Sequence, residues 1–246
     1  MKIIILAGGK GSRISEYTKT IPKPMIKIGH KPILIHILEH YANFGHKDFY
    51  VALGYKSNFI KNYFKKFKKF DYAFKHRVGN IDASITLSFT GLHTLTGGRI
   101  KRMKKFINKD ENFMFTYGDG ISNVNLKKLQ EFHKINNTIV TVTAVRPPAR
   151  FGEITILKNM VKTFKEKPQV AEGWINGGFF IAKYEFFNLI KGDSTVLEKE
   201  PLEKATSKKQ LCAFKHYGFW KCMDTSRDKK VLENIYKKNK YNWLKI

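Results

Sequence analysis

Short runs of apolar and β-branched residues alternate along this chain with longer stretches whose apolar positions recur every three to four residues. The first pattern predicts strands at 2–6, 48–54, 84–89, 112–117, 138–145, 153–157, 176–183 and 211–215, with a short strand-like stretch over 161–164. The second predicts helices at 31–44, 56–68, 98–107, 125–136, 184–191, 197–208 and 225–238. Strands that alternate with helices imply βα units and a largely parallel sheet, a Rossmann-like α/β arrangement. Two helix starts are visible, Thr195 with Glu198 and Thr225 with Asp228, each a hydroxyl cap three residues ahead of a carboxylate able to answer it. Repeats, low-complexity tracts and linker-like segments are absent, which predicts one domain over residues 1–246.

Composition narrows the class. A chain of 246 residues can bury a full core. Its apolar runs have strand length, so no membrane span is expected, and Met1 leads directly into a strand without a cleavage site; both point to the cytoplasm. Cys212 and Cys222 lack zinc-ligand spacing and read as ordinary reduced core residues. The net charge of +26 invites a nucleic-acid reading, yet only 7 of the 46 basic residues are Arg, the residue that forks onto phosphates and reads bases. Lysines scattered as at Lys61, Lys65, Lys66, Lys68 and Lys69 describe solvated helix faces. No nucleic-acid partner is expected, although the charge would help to attract small anions.

The chemistry is concentrated near the start. Directly after Ile3-Ile4-Ile5 the chain reads Leu6-Ala7-Gly8-Gly9-Lys10-Gly11-Ser12-Arg13, and Lys23 follows between Pro22 and Pro24. A strand that empties into a glycine-rich loop exposes backbone N–H groups that can cradle phosphate oxygens. Arg13 and Lys23 would complete the cage, and the flanking prolines stiffen the backbone that carries Lys23. Both standard phosphate motifs fail here. Ile14 stands where the third glycine of G-x-G-x-x-G belongs, and G-x-x-x-x-G-K-[ST] is missing, so neither a dehydrogenase nor a P-loop ATPase is indicated. Asp119, between Gly118 and Gly120, follows the apolar run 113–117 and so places a carboxylate at the carboxyl end of a strand, where open α/β sheets bind ligands. His36 and His40 share a helix face without a metal motif, and no nucleophile is paired with a base.

With Pro22-Lys23-Pro24-Met25 and Gly29-His30-Lys31-Pro32 added, the chain resembles the sugar-phosphate nucleotidyltransferase family, whose signature is L-A-G-G-x-G-[ST]-R followed by P-K-P-[ML]. Later blocks are similar to its glucose-1-phosphate cytidylyltransferase branch: Thr96-Gly97-Gly98-Arg99, Tyr117-Gly118-Asp119-Gly120, Arg150-Phe151-Gly152, Glu166-Lys167-Pro168, Asn176-Gly177-Gly178 and Met223-Asp224-Thr225.

That resemblance implies a three-layer fold around a mostly parallel mixed sheet, with the nucleotide in the first half and the sugar in the second. It implies CTP and glucose 1-phosphate as substrates and CDP-glucose and pyrophosphate as products, in a homo-oligomer. Leu6 to Arg13, Lys23, Thr94, Arg99 and Gly118 would bind the nucleotide, with Arg13, Lys23 and Asp119 catalytic. Gly152, Glu166, Lys167, Asn176 and Gly177 would bind the sugar phosphate, and Asp119 with Asp224 would hold Mg²⁺. Open alternatives are a UTP- or dTTP-dependent enzyme and a catalytically silent nucleotide-binding regulator on the same scaffold.

Overall fold

A computed structural model describes residues 1–146, 153–157, 159–165, 173–238 and 243. The chain runs β1 (Ile3–Ala7), α1 (Ser15–Thr18), β2 (Lys27–Ile28), β3 (Lys31–Pro32), α2 (Ile33–Asn43), β4 (Asp48–Leu53) and α3 (Ser57–Tyr63). It continues through β5 (Ala73–Val78), β6 (Ile81–Phe89), α4 (Thr96–Arg102), β7 (Phe113–Tyr117), β8 (Gly120–Ser122) and α5 (Leu126–Asn136). The rest comprises β9 (Val140–Val145), β10 (Glu153–Leu157), β11 (Met160–Lys165), β12 (Ile175–Ala182), α6 (Glu200–Ser207), β13 (Leu211–His216), β14 (Trp220–Cys222) and α7 (Ser226–Lys237).

Eight strands form one sheet in the order β13-β9-β12-β7-β1-β4-β6-β5. β1 lies parallel to β4 and β7, β4 parallel to β6, and β9 parallel to β13, while β12 and β5 run antiparallel to their neighbours. The sheet is therefore mixed and runs without a break from the first half of the chain into the second.

Burial explains the central strands. All five residues of β1 are buried, as expected of a strand covered on both faces. Its odd positions Ile3, Ile5 and Ala7 face a core shared with α2, α5 and α7. Ile4 and Leu6 face a second core with Ile100 of α4 and Ala205 of α6. Helix, sheet and helix make the three layers. On the second face Phe115 stacks on Phe180 of the adjacent strand with ring centroids 4.4 Å apart.

Most predicted elements stand within a few residues. β5 was not anticipated: Lys75, His76 and Arg77 hide its period because, at the outer edge, only one side chain in two gains cover. The predicted helix at 184–191 is a short 3-10 segment, Tyr184–Leu189. Thr225 and Asp228 form the expected reciprocal capping box of α7. Thr195 and Glu198 do not: α6 begins only at Glu200, and the Thr195 hydroxyl accepts from the Gly192 N–H at 3.0 Å instead. Among the described residues no helix is long and apolar enough to cross a membrane.

His36 and His40 both lie buried on α2, and the His36 Nε2 bonds the Ile28 carbonyl at 2.9 Å. His40 is wedged edge-on against Phe44 and Phe179, and burial pushes its pKa down to about 4. In the unfolded chain it titrates near 6.5, so as pH falls from 6.5 towards 4 the unfolded state takes up a proton that the fold refuses. Stability is therefore complete above pH 6.5 and declines below it, by roughly 2 to 3 kcal/mol at pH 4.5 from His40 alone. Denaturant melts at pH 7.5 and 4.5 should show this loss, and His40→Met should shrink the difference between them; an unchanged pH dependence in the variant would remove His40 as its source.

Candidate functional site

Because β1, β4, β6 and β7 are parallel, their carboxyl ends share one edge of the sheet, and the loops that follow them gather there. β12 runs the other way, so its first residues, including Asn176 and Gly177, reach the same edge. A cavity of about 550 Å³ opens between these segments.

The glycine loop forms one wall. Every residue from Leu6 to Arg13 except the exposed Lys10 borders the cavity. Gly11 adopts a left-handed backbone, φ 65°, and a side chain there would meet the methyl of Thr18 at 2.9 Å. The loop is held from behind by the Tyr55 N–H, which donates to the Gly8 carbonyl at 3.1 Å. Gly118 backs onto β1 so closely that a Cβ would come within 2.6 Å of the Leu6 carbonyl oxygen. Here the lack of a side chain sets the width of the site.

Lys23 is 7% exposed, at the start of a 3-10 turn fixed by Pro22 and Pro24. Its Nζ lies 2.6 Å from Asp119 Oδ2 and 2.6 Å from Asp224 Oδ1. Arg13 Nη1 meets the other oxygen of Asp224 at 2.6 Å. Burial opposes the charge on Lys23, but the two carboxylates outweigh it and raise its pKa above the ordinary lysine value. Two cations thus face two anions in one cluster.

The union of Asp119 with Asp224 has a simple cause that no local pattern announces. β8 and β14 pair antiparallel, Gly120 opposite Cys222, and the Met223 N–H donates to the Asp119 carbonyl at 2.9 Å. This short ladder lays the segment ahead of α7 beside the end of β7. It also brings in Cys222, whose thiol lies with the two carboxylates, each offering a ligand atom within 4.8 Å of the others. Cys222 is thus a residue of the cavity wall rather than ordinary core. Burial and the two aspartates push its pKa up, and a soft sulfur matches a hard cation poorly. Two hard carboxylate oxygens suit Mg²⁺.

Thr94 is buried and borders the cavity. Arg99 does too, but its Nη1 is committed to the Leu53 carbonyl at 3.0 Å, the Thr90 hydroxyl at 2.7 Å and the Gly91 carbonyl at 2.8 Å. Gly8 and Gly54 make room for it: a Cβ on either would collide with the guanidinium. Arg99 is therefore braced through Nη1 behind the loop while bordering the cavity, and burial lowers its pKa.

On the opposite wall, Asn176 donates to the Tyr117 hydroxyl at 3.1 Å and the Gly177 carbonyl accepts from the Trp220 indole at 2.7 Å. Gly152, Glu166 and Lys167 lie outside the described residues. Tyr117, Glu198 and Trp220 border the site without having been singled out as site residues. Glu198 had been expected at a helix start with Thr195.

The profile of the nucleotidyl transferase family matches residues 2–224. The chain is 42% identical to the glucose-1-phosphate cytidylyltransferase of Salmonella typhimurium, over 99% of its own length and 98% of that relative. It is 39% identical to a Bacillus subtilis protein described as a probable glucose-1-phosphate cytidylyltransferase, over 99% of each. Among solved structures, HddC from Yersinia pseudotuberculosis superposes with a TM-score of 0.74 at 24% identity, over 96% of this chain and 99% of that one, a likeness of fold.

Proposed function

The chain belongs to the nucleotidyl transferase family, and from that premise we propose that it transfers the cytidylyl group of CTP to α-D-glucose 1-phosphate, releasing pyrophosphate and forming CDP-glucose. The observation that carries this reading is the convergence of Lys23, Asp119 and Asp224 beside the glycine loop. The near full-length similarity to a glucose-1-phosphate cytidylyltransferase, and to a second protein described as a probable one, supports the choice of base and sugar.

In such a reaction a phosphate oxygen of the sugar attacks the α-phosphorus in line, a new P–O bond forms, and the bond to the β-phosphate breaks. Both partners are anions, so the protein's work is to neutralise charge and align groups. Loop amides from Gly8 to Ser12 and the Arg13 guanidinium would hold the β- and γ-phosphates. Lys23, which its raised pKa keeps protonated, would stabilise charge developing around the α-phosphorus. Thr94 would contact the nucleotide, and the buried charge of Arg99 would favour anions at the loop from behind. Asn176 and Gly177, with Gly152, Glu166 and Lys167, would receive the sugar phosphate. Asp119 and Asp224 would hold Mg²⁺, which when bound screens the triphosphate. Lys23 and Arg13 are the positive partners of those same carboxylates, so they need move little to meet phosphate.

The test is pyrophosphate release by purified protein with glucose 1-phosphate and Mg²⁺, comparing CTP, UTP, dTTP and ATP, with a chelator control. Release with CTP alone is expected. Preference for UTP or dTTP would keep the chemistry and overturn the base, and no release with any of the four would return a silent regulator to favour.

A further inference from the structure

Away from the phosphate cage, the cavity wall carries hydrogen bonds with a single direction. Asn176 Nδ2 donates to the Tyr117 hydroxyl at 3.1 Å, and that hydroxyl donates to Glu198 Oε1 at 2.5 Å. From the other side, the Leu197 N–H donates to the Thr96 hydroxyl at 2.9 Å, which donates to Glu198 Oε2 at 2.9 Å. Both chains end on the one carboxylate. The Asn176 carbonyl oxygen is fixed in turn by the Gly178 N–H at 2.8 Å.

These groups come from separate parts of the fold: Asn176 from β12, Tyr117 from the end of β7, Thr96 from the start of α4, and Glu198 from the segment before α6. A carboxylate can only accept, so it fixes the sense of every bond that reaches it. The Tyr117 hydrogen is spent on Glu198, which leaves the Tyr117 oxygen to accept from Asn176. With its oxygen held by Gly178 and one N–H held by Tyr117, the Asn176 amide has its orientation set, and one N–H remains to donate.

We propose that Glu198 is the positioning residue of the sugar subsite: it fixes the Tyr117 hydroxyl, and through it the Asn176 amide, so that the remaining Asn176 N–H is aimed to donate to a hydroxyl of the hexose phosphate. This rests on the reaction proposed above and assigns to it a residue that a local capping pattern had misplaced.

Glu198→Gln keeps the shape of the side chain but replaces one acceptor oxygen with an NH₂ donor. Either Tyr117 or Thr96 must then reverse its hydroxyl, and the order on which Asn176 depends is lost. The experiment compares wild type, Glu198→Gln, Tyr117→Phe and the double variant by KM for glucose 1-phosphate, KM for CTP, kcat and melting temperature. Each single variant is expected to raise the sugar-phosphate KM about tenfold, the equivalent of one lost charge-assisted hydrogen bond. The CTP KM and the melting temperature should barely move, and the double variant should be little worse than either single one, because both break the same chain. An unchanged sugar-phosphate KM, an equal rise in the CTP KM, or multiplicative effects in the double variant would overturn the assignment. The wild type separates the two ideas: if it fails to turn over, the proposed reaction falls, whereas a normal wild type beside an indifferent Glu198→Gln removes only the role of Glu198.

Discussion

Replacement of Lys23 by methionine is expected to lower turnover about a thousandfold, the scale of losing one preorganised charge from a phosphoryl-transfer site. Methionine fills a similar volume, so the loss should lie in chemistry rather than in folding. The fold will nonetheless register the change. In the native cluster Lys23 stands between Asp119 and Asp224, and its removal leaves Arg13, at 72% side-chain exposure, as the cation paired with Asp224. The carboxylates keep some contact with water, at 23% and 19% exposure, so the cost should be about 1 to 2 kcal/mol, or a few degrees of melting temperature.

The same reasoning gives a result of opposite sign. A lysine between two carboxylates competes with any divalent cation for them, so Lys23→Met should bind Mg²⁺ at least as well as the wild type while turning over far more slowly. Single-turnover kinetics with CTP and calorimetric Mg²⁺ titration measure the two effects separately. Turnover within about tenfold of wild type would take Lys23 out of the mechanism. Loss of Mg²⁺ binding together with turnover would instead make Lys23 a scaffold for the carboxylates. Because its pKa is raised, Lys23 should contribute no limb to the pH profile below the ordinary lysine value.

Features carried by local pattern were legible in the sequence. β1 shows itself by β-branched residues buried on both faces, and the loop after it by glycines that the structure needs for φ at Gly11 and for close approach at Gly8. Lys23 was marked by its two prolines. What was hidden depends on pairing between distant parts of the chain. β8 and β14 have three residues each, too few to show a period, yet they are what joins Asp119 to Asp224. Glu198 was misread because Thr195 stands three residues before it, as in a capping box, while the carboxylate goes to Tyr117 and Thr96. The bracing of Arg99 was hidden as well, because a basic residue after two glycines says nothing of the carbonyls that hold it.

Asp119→Asn and Asp224→Asn should each raise the Mg²⁺ concentration needed for half-maximal turnover by at least about tenfold, since asparagine keeps the shape and one acceptor oxygen but loses the charge that draws a hard cation. The two variants should differ in a way the ion pairs dictate. Asp119 is paired with Lys23, whereas Asp224 is paired with both Lys23 and Arg13. Asp224→Asn therefore also loosens the guanidinium assigned to the leaving pyrophosphate, and should raise the CTP KM more than Asp119→Asn does. If both carboxylates hold one ion, the double variant should be hardly worse than either single one in its Mg²⁺ response, because the second substitution removes a ligand from a site already lost. Metal titrations of all three variants at saturating CTP and glucose 1-phosphate decide it. Unchanged Mg²⁺ midpoints in both single variants would refute a shared metal site, and would leave the carboxylates as counter-charges that keep Lys23 and Arg13 in place.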